Sequence, residues 1–234
     1  MAQNRQSYRR KSKKPAAAVI LAVLAVLSLV IWFRNRAKPA VSAEWAGTTG
    51  EGKTYTTNAD GTRTINWDFI MVPDWIERDL IPVNPYSRSG ELLSSIDGVV
   101  VHYTANPGTT AKQNRNYFAG LADGSGTSAS SHFIIDTDGT ILQCVPMSEI
   151  AYASNDRNCD TLSIECCHED ESGKFTKETY QSLVKLTAWL CDTYGLETDQ
   201  VIRHYDVTGK LCPKYYVEHE DKWETLKKDI EKAR

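Results

Sequence analysis

The chain has 234 residues, enough for one domain of ordinary size with appendages. Its formal charge of −3 is unevenly placed: residues 1–38 hold nine Lys/Arg and no acid, and the remainder holds 18 basic against 30 acidic residues, a balance of −12. So acidic a body has no electrostatic footprint for nucleic acid, and no polyanion is expected as its main partner.

Residues 16–33, AAAVILAVLAVLSLVIWF, carry no charge. At 1.5 Å per residue they reach about 27 Å, close to a bilayer's hydrocarbon thickness. Six cations precede the run, three follow it, and Trp32 sits where an interfacial aromatic belongs. The pattern predicts a cytoplasmic basic segment (1–15) and a single transmembrane anchor (16–33), with the rest of the chain outside the cell membrane. A cleaved signal peptide is the competing reading, with AVSA (40–43) as its cleavage site. That site lies seven residues and three cations beyond an apolar run longer than the usual signal core. Residues 34–66, rich in Thr, Gly and Ala, are expected as an extracellular stalk, with a small hairpin around Asp60-Gly61.

The body is expected over 67–234. Residues 67–90, with three prolines, suggest an irregular segment wrapped on a core. GVVVHYT (98–104) is a β-branched run and predicts a buried strand. A helix capped by Thr109 or Thr110 should follow. SSHFIIDTDGTILQCVP (130–146) has two apolar runs around Thr137-Asp138-Gly139 and predicts a hairpin; DTLSIECCH (160–168) predicts another strand. The spacing from Lys177 predicts a helix capped by Thr176 and ended by Gly195, with Tyr180, Leu183, Val184, Thr187, Cys191 and Tyr194 on one face. QVIRHYD (200–206) reads as a strand. Residues 220–233 read as an amphipathic helix with Trp223, Leu226 and Ile230 inward. Alternating strands and helices with one hairpin predict an α/β fold: a mixed central β-sheet flanked by helices.

Six cysteines in an exported chain permit disulfides, but a body this large does not need them. Adjacent Cys166 and Cys167 should point to opposite faces of their strand and are poor partners.

His102 and His204 both fall at predicted strand ends, where α/β folds gather their sites, and Cys212 follows His204 by eight residues. Two imidazoles and a thiolate form a ligand set that leaves a fourth zinc position for water. Taken singly, a strand histidine is usually structural and a lone cysteine a small core residue. Glu165 falls mid-strand among apolar neighbours, as a buried ion-pair partner or as a working carboxylate.

From about Ile81 onward, the stretches GVVVHYTANPGTTA, SASSHFIIDTDGTILQCVP, TLSIECCH and RHYDVTGKLCP resemble the zinc-dependent N-acetylmuramoyl-L-alanine amidases of the type that shares its fold with peptidoglycan recognition proteins and phage endolysins. The resemblance implies zinc ligands at His102, His204 and Cys212, a catalytic lysine at Lys210 and a general base at Glu165. It implies hydrolysis of the amide between N-acetylmuramic acid and L-alanine in peptidoglycan. His132, Asn155 and Arg157 are expected to contact substrate. The chain departs from some relatives in placing Ser131 before His132, and Tyr152-Ala153 where a histidine often stands. Two other functions compete: a module that binds peptidoglycan without cutting it, and a thiol hydrolase built on Cys212 and His204. Non-catalytic relatives lose the thiolate ligand that this chain keeps. Pro213 removes a backbone donor where a thiol hydrolase would place its oxyanion hole.

Overall fold

The computed structural model describes residues 54–67, 70–124 and 126–234. The expected basic segment, the apolar run at 16–33 and the first part of the stalk lie outside the described residues. Among the described residues, no helix is long and apolar enough to cross a membrane.

Six strands form the central sheet: β3 (Ile76–Arg78), β4 (Gly98–Tyr103), β5 (Phe133–Ile135), β6 (Ile141–Gln143), β7 (Thr161–Cys166) and β8 (Val201–Arg203), in the order β3-β6-β5-β7-β4-β8. β4 runs parallel to both β7 and β8, and β5 parallel to β7, while β5 and β6 form the predicted antiparallel hairpin. β3 is a correction. Within the proline-rich segment expected to be irregular, Ile76–Arg78 pairs in parallel with β6 and extends the sheet edge. Three residues are too few to show a period-2 pattern, so only the pairing reveals the strand.

Alternation along the strands sorts the side chains into two cores. Val99, Val101, Phe133, Ile135, Leu162, Ile164 and Cys166 pack with α2 (Lys177–Tyr194) and with α5 (Glu220–Ala233), whose Trp223, Leu226 and Ile230 are buried as expected. Ile134, Leu142, Cys144 and Cys167 pack on the other face with Ala111 and Phe118 of α1 (Ala111–Gly120). Cys166 and Cys167 therefore fall on opposite faces, and all six cysteines are free. The even-numbered side of β4 and the odd-numbered side of β7, which carry His102 and Glu165, face the α1 layer.

Capping chemistry sets the helix starts. Thr110 accepts from Gln113 N, and Gln113 Oε1 accepts from Thr110 N at 2.8 Å, a reciprocal box. Thr176 Oγ1 accepts from Thr179 N and donates to Thr137 O, tying α2 to the β5–β6 turn. The buried face of α2 is wider than its predicted stripe: Leu186 and Leu190 are fully enclosed, because the helix lies between the sheet and α5.

The predicted small hairpin exists as β1 (Tyr55–Thr57) and β2 (Arg63–Ile65), but it is not free stalk. Thr54 Oγ1 donates to Thr193 O at 2.6 Å, and Arg63 donates to Gly195 O at 2.8 Å and to Ile96 O. The Tyr55 ring lies where a Cβ on Gly195 would sit, so the left-handed glycine that ends α2 also admits the hairpin.

Candidate metal centre and active site

His102 stands one residue before the end of β4. β8 stops at Arg203, so His204 opens a five-residue helix, α3 (His204–Thr208), rather than ending the strand. Gly209, at φ +77°, ends α3 and turns the chain back; Tyr205 N then donates to Cys212 O at 2.9 Å and holds the returning loop against α3. Arg203 anchors this region by pairing with Asp206 and Glu220 and donating to Tyr216 O of the short helix α4 (Lys214–Glu218).

The result is a cluster of three buried ligand atoms. His102 Nδ1 lies 3.1 Å from His204 Nδ1 and 3.8 Å from Cys212 Sγ, and a ligand atom from each residue lies within 4.8 Å of the others. Metal–nitrogen distances near 2.0 Å and metal–sulfur distances near 2.3 Å put neighbouring tetrahedral vertices about 3.3–3.6 Å apart, so the set has the size of such a site. The distal ring nitrogens are engaged elsewhere. His204 Nε2 donates to Asn155 Oδ1 at 2.8 Å, and His102 Nε2 meets Ser154 Oγ at 3.1 Å. With protons on Nε2, both Nδ1 lone pairs point at one another across 3.1 Å, an arrangement that a cation between them stabilises. Burial lowers the pKa of both imidazoles, that of His102 well below the ordinary value with His204 and Lys210 adding to the effect, and that of His204 with Lys210 adding. Both shifts favour the neutral imidazole, the form able to ligate.

These residues line a cavity of about 450 Å³ together with Tyr103, Tyr152, Asn155, Glu165 and Lys210. A second cavity of about 350 Å³, lined by Asn106, Gln113, Asn114 and Tyr117, shares Thr104, Phe118 and Glu165 with the first. Glu165 thus stands at the junction. In the sheet it is paired with His102 on one side and Ile134 on the other. Its Oε2 is enclosed and has no hydrogen-bond partner, and burial raises the carboxyl to about 8, against the opposing pull of Lys210. Lys210 is exposed on the cavity wall. A larger cavity of about 610 Å³, near Phe175, Tyr180 and Tyr215, gathers no His/Cys ligand set among the described residues.

As a free thiol, Cys212 is poorly suited to nucleophilic attack: burial, with Glu165 nearby, pushes it up to about 12. Its sulfur lies 3.8 Å from Nδ1 of His102.

Two residues expected to contact substrate, His132 and Arg157, are not among those that line the cavity. His132 is fully enclosed. Its Nδ1 accepts from Ser163 N at 3.0 Å, and its Nε2 donates to Glu149 O at 2.9 Å. It lies opposite Ser163, two residues and about 7 Å along the strand from the level of Glu165. Arg157 is spent on Asp160 at 2.8 Å and reaches toward Gly98, at the far end of β4 from His102. Asn155 does line the cavity, but its carbonyl oxygen serves His204. Ser154 was not foreseen; within the run ASNDRN (153–158) it reads only as a turn residue.

The environment of His132 carries a pH dependence. Burial lowers its pKa from 6.5 to about 4, against a raising contribution from Glu149 O. The unfolded chain then binds the proton more readily, so the stability conferred by neutral His132 is present above pH 6.5 and is lost as pH falls to about 4, roughly 3 kcal/mol in all. Urea denaturation of wild type and His132→Gln from pH 7 to 4 should show the variant losing less stability on acidification; parallel losses would refute the assignment.

Residues 92–215 match the family described as N-acetylmuramoyl-L-alanine amidase. Among curated proteins, the chain is similar to the N-acetylmuramoyl-L-alanine amidase CwlL of Bacillus licheniformis, at 34% identity over 169 residues, 67% of this chain and 46% of that protein. It is also similar to the N-acetylmuramoyl-L-alanine amidase BlyA of Bacillus subtilis strain 168, at 32% identity over 171 residues, 64% of this chain and 45% of that protein. The chain spans about half the length of the curated relatives it matches. Among solved structures, the catalytic domain of XlyA superposes with a TM-score of 0.56 at 27% identity, covering 66% of this chain and 98% of that one. PlyL, with a TM-score of 0.57 at 22% identity over 66% of this chain and 96% of that one, shares the fold. The matched residues make up more than half of the sequence and include His102, Glu165, His204, Lys210 and Cys212: the chain belongs to the N-acetylmuramoyl-L-alanine amidase family.

Proposed function

We propose that the chain hydrolyses the amide joining N-acetylmuramic acid to the L-alanine of the peptidoglycan stem peptide, using a zinc ion held by His102, His204 and Cys212. The observation that carries this reading is the convergence of two Nδ1 atoms and a sulfur in the cavity where an enclosed carboxylate oxygen of Glu165 has no partner. The nitrogen and sulfur donors favour zinc over magnesium or calcium. The activity named for the curated relatives supports the choice of bond.

When bound, zinc supplies Lewis acidity toward the scissile carbonyl and makes water a better nucleophile near neutral pH. Glu165 takes the proton of the attacking water and returns it to the alanine nitrogen as the carbon–nitrogen bond breaks. The Lys210 ammonium stabilises the negative charge that develops on the carbonyl oxygen. The two cavities that meet at Glu165 give room for the groups on either side of the bond. The charge-free run at 16–33, with its excess of cations on the N-terminal side, supports an anchor that leaves this domain outside the membrane, beside the wall it remodels.

Mass spectrometry of purified sacculi incubated with the chain tests the reading. Stem peptides with a free L-alanine amine should appear, vanish with a chelator and return with added zinc. Intact sacculi carrying zinc-loaded protein would overturn catalysis in favour of binding alone.

A further inference from the structure

His102 comes from β4 and His204 from the start of α3, yet both are held from behind by adjacent residues of one turn. Ser154, itself buried, meets His102 Nε2 at 3.1 Å, and Asn155 accepts from His204 Nε2 at 2.8 Å. The turn is heavily braced. Asn158 Oδ1 accepts from Ala153 N at 3.0 Å and Ser154 N at 2.6 Å, while Arg157 N and Asn158 N donate back to Ser154 O and Asn155 O. Arg157 pairs with Asp160, and its carbonyl accepts from Thr161 Oγ1, which fastens the turn to the start of β7. Asn155 adopts φ +54°, a left-handed conformation uncommon outside glycine, and that backbone aims its side chain at His204.

We infer that the 153–158 turn is a positioning device for the metal ligands: Ser154 and Asn155 together hold the rings of His102 and His204 with Nδ1 turned toward the ion, and thereby set zinc affinity. The inference rests on the zinc site proposed above. A hydrogen bond at Nε2 selects the tautomer with its lone pair on Nδ1 and fixes the ring plane, and loss of such an outer partner typically weakens metal binding by about 10–100-fold. Because one rigid turn serves both rings, their mutual placement does not depend on the flexibility of two separate loops.

Asn155→Gly is the sharpest probe. Glycine adopts a positive φ without strain, so the variant deletes the acceptor and leaves the turn's backbone relaxed. Zinc affinity, measured by competition with a chromophoric chelator, should fall by about 10–100-fold. The visible spectrum of the Co2+-loaded protein should shift, while the metal-free melting temperature stays near that of wild type. Asn155→Asp, which keeps an acceptor oxygen, should recover most of the affinity. Ser154→Ala acts on the other histidine and should weaken zinc independently, so it decides the matter even if Asn155→Gly folds poorly. Wild-type affinity in both Asn155→Gly and Ser154→Ala, or failure of Asn155→Asp to recover it, overturns the inference. A wild-type protein that takes up no zinc at all overturns the proposed function first, and this inference with it.

Discussion

Replacing Glu165 with glutamine is expected to lower kcat by about 10²–10⁴-fold with zinc content unchanged, the range for removing a positioned general base. Glutamine keeps the volume and the hydrogen-bonding capacity of the side chain, so the β4–β7 ladder and the neighbouring His102 are undisturbed. What it removes is the ability to accept and release a proton. An enclosed carboxylate oxygen without a partner is costly to a fold, and no ion pair among the described residues repays that cost. KM should change little, since substrate binding by the cavity walls is retained. A residual rate within about tenfold of wild type would place the base elsewhere. Loss of zinc together with activity would make Glu165 part of the metal environment instead.

Removing the metal should have the largest effect on stability. A ligand that binds only the folded state contributes about 4 kcal/mol when its free concentration is about 1,000 times Kd. For a domain of this size that corresponds to a melting temperature about 8–16 °C higher. Calorimetry of the wild-type protein with and without a chelator should show a drop of that order. Cys212→Ala should melt near the metal-free wild type and be insensitive to the chelator, because two imidazoles alone no longer enclose the ion. A wild-type melting temperature indifferent to chelation would mean that the three ligand atoms, 3.1 and 3.8 Å apart, do not hold a metal in solution.

Much of this architecture is legible before any coordinates. The unbroken apolar run of β4 announces a strand covered on both faces. Thr110, Thr176 and Gly195 mark helix ends because each supplies a particular backbone partner or conformation. The split of Cys166 and Cys167 between two cores follows from strand alternation alone. These are local consequences of one element's own geometry, and a single chain segment carries all the information they need. The three residues able to hold a metal are readable in another way: the resemblance points to them, and their place where strands end gives a physical reason.

The rest depended on relations between segments. His132 shares the face of the sheet that carries Glu165, but the β5–β7 register sets it two residues away along the strand, where Ser163 N and Glu149 O take both of its ring nitrogens. Arg157 has a suitable charge, yet Asp160 three residues later claims it. β3 exists only because β6 is there to pair with it, and the 54–66 hairpin belongs to the domain because α2 ends at a glycine where Tyr55 fits. Ser154 and Asn155 act behind two histidines that lie 52 and 49 residues away in the chain. By itself the sequence determined the longer elements, their inward faces and the residue types able to bind a metal. The tertiary structure alone decided depth, register and the partner each polar group received, because those follow from which distant backbone a side chain meets once the cores have closed.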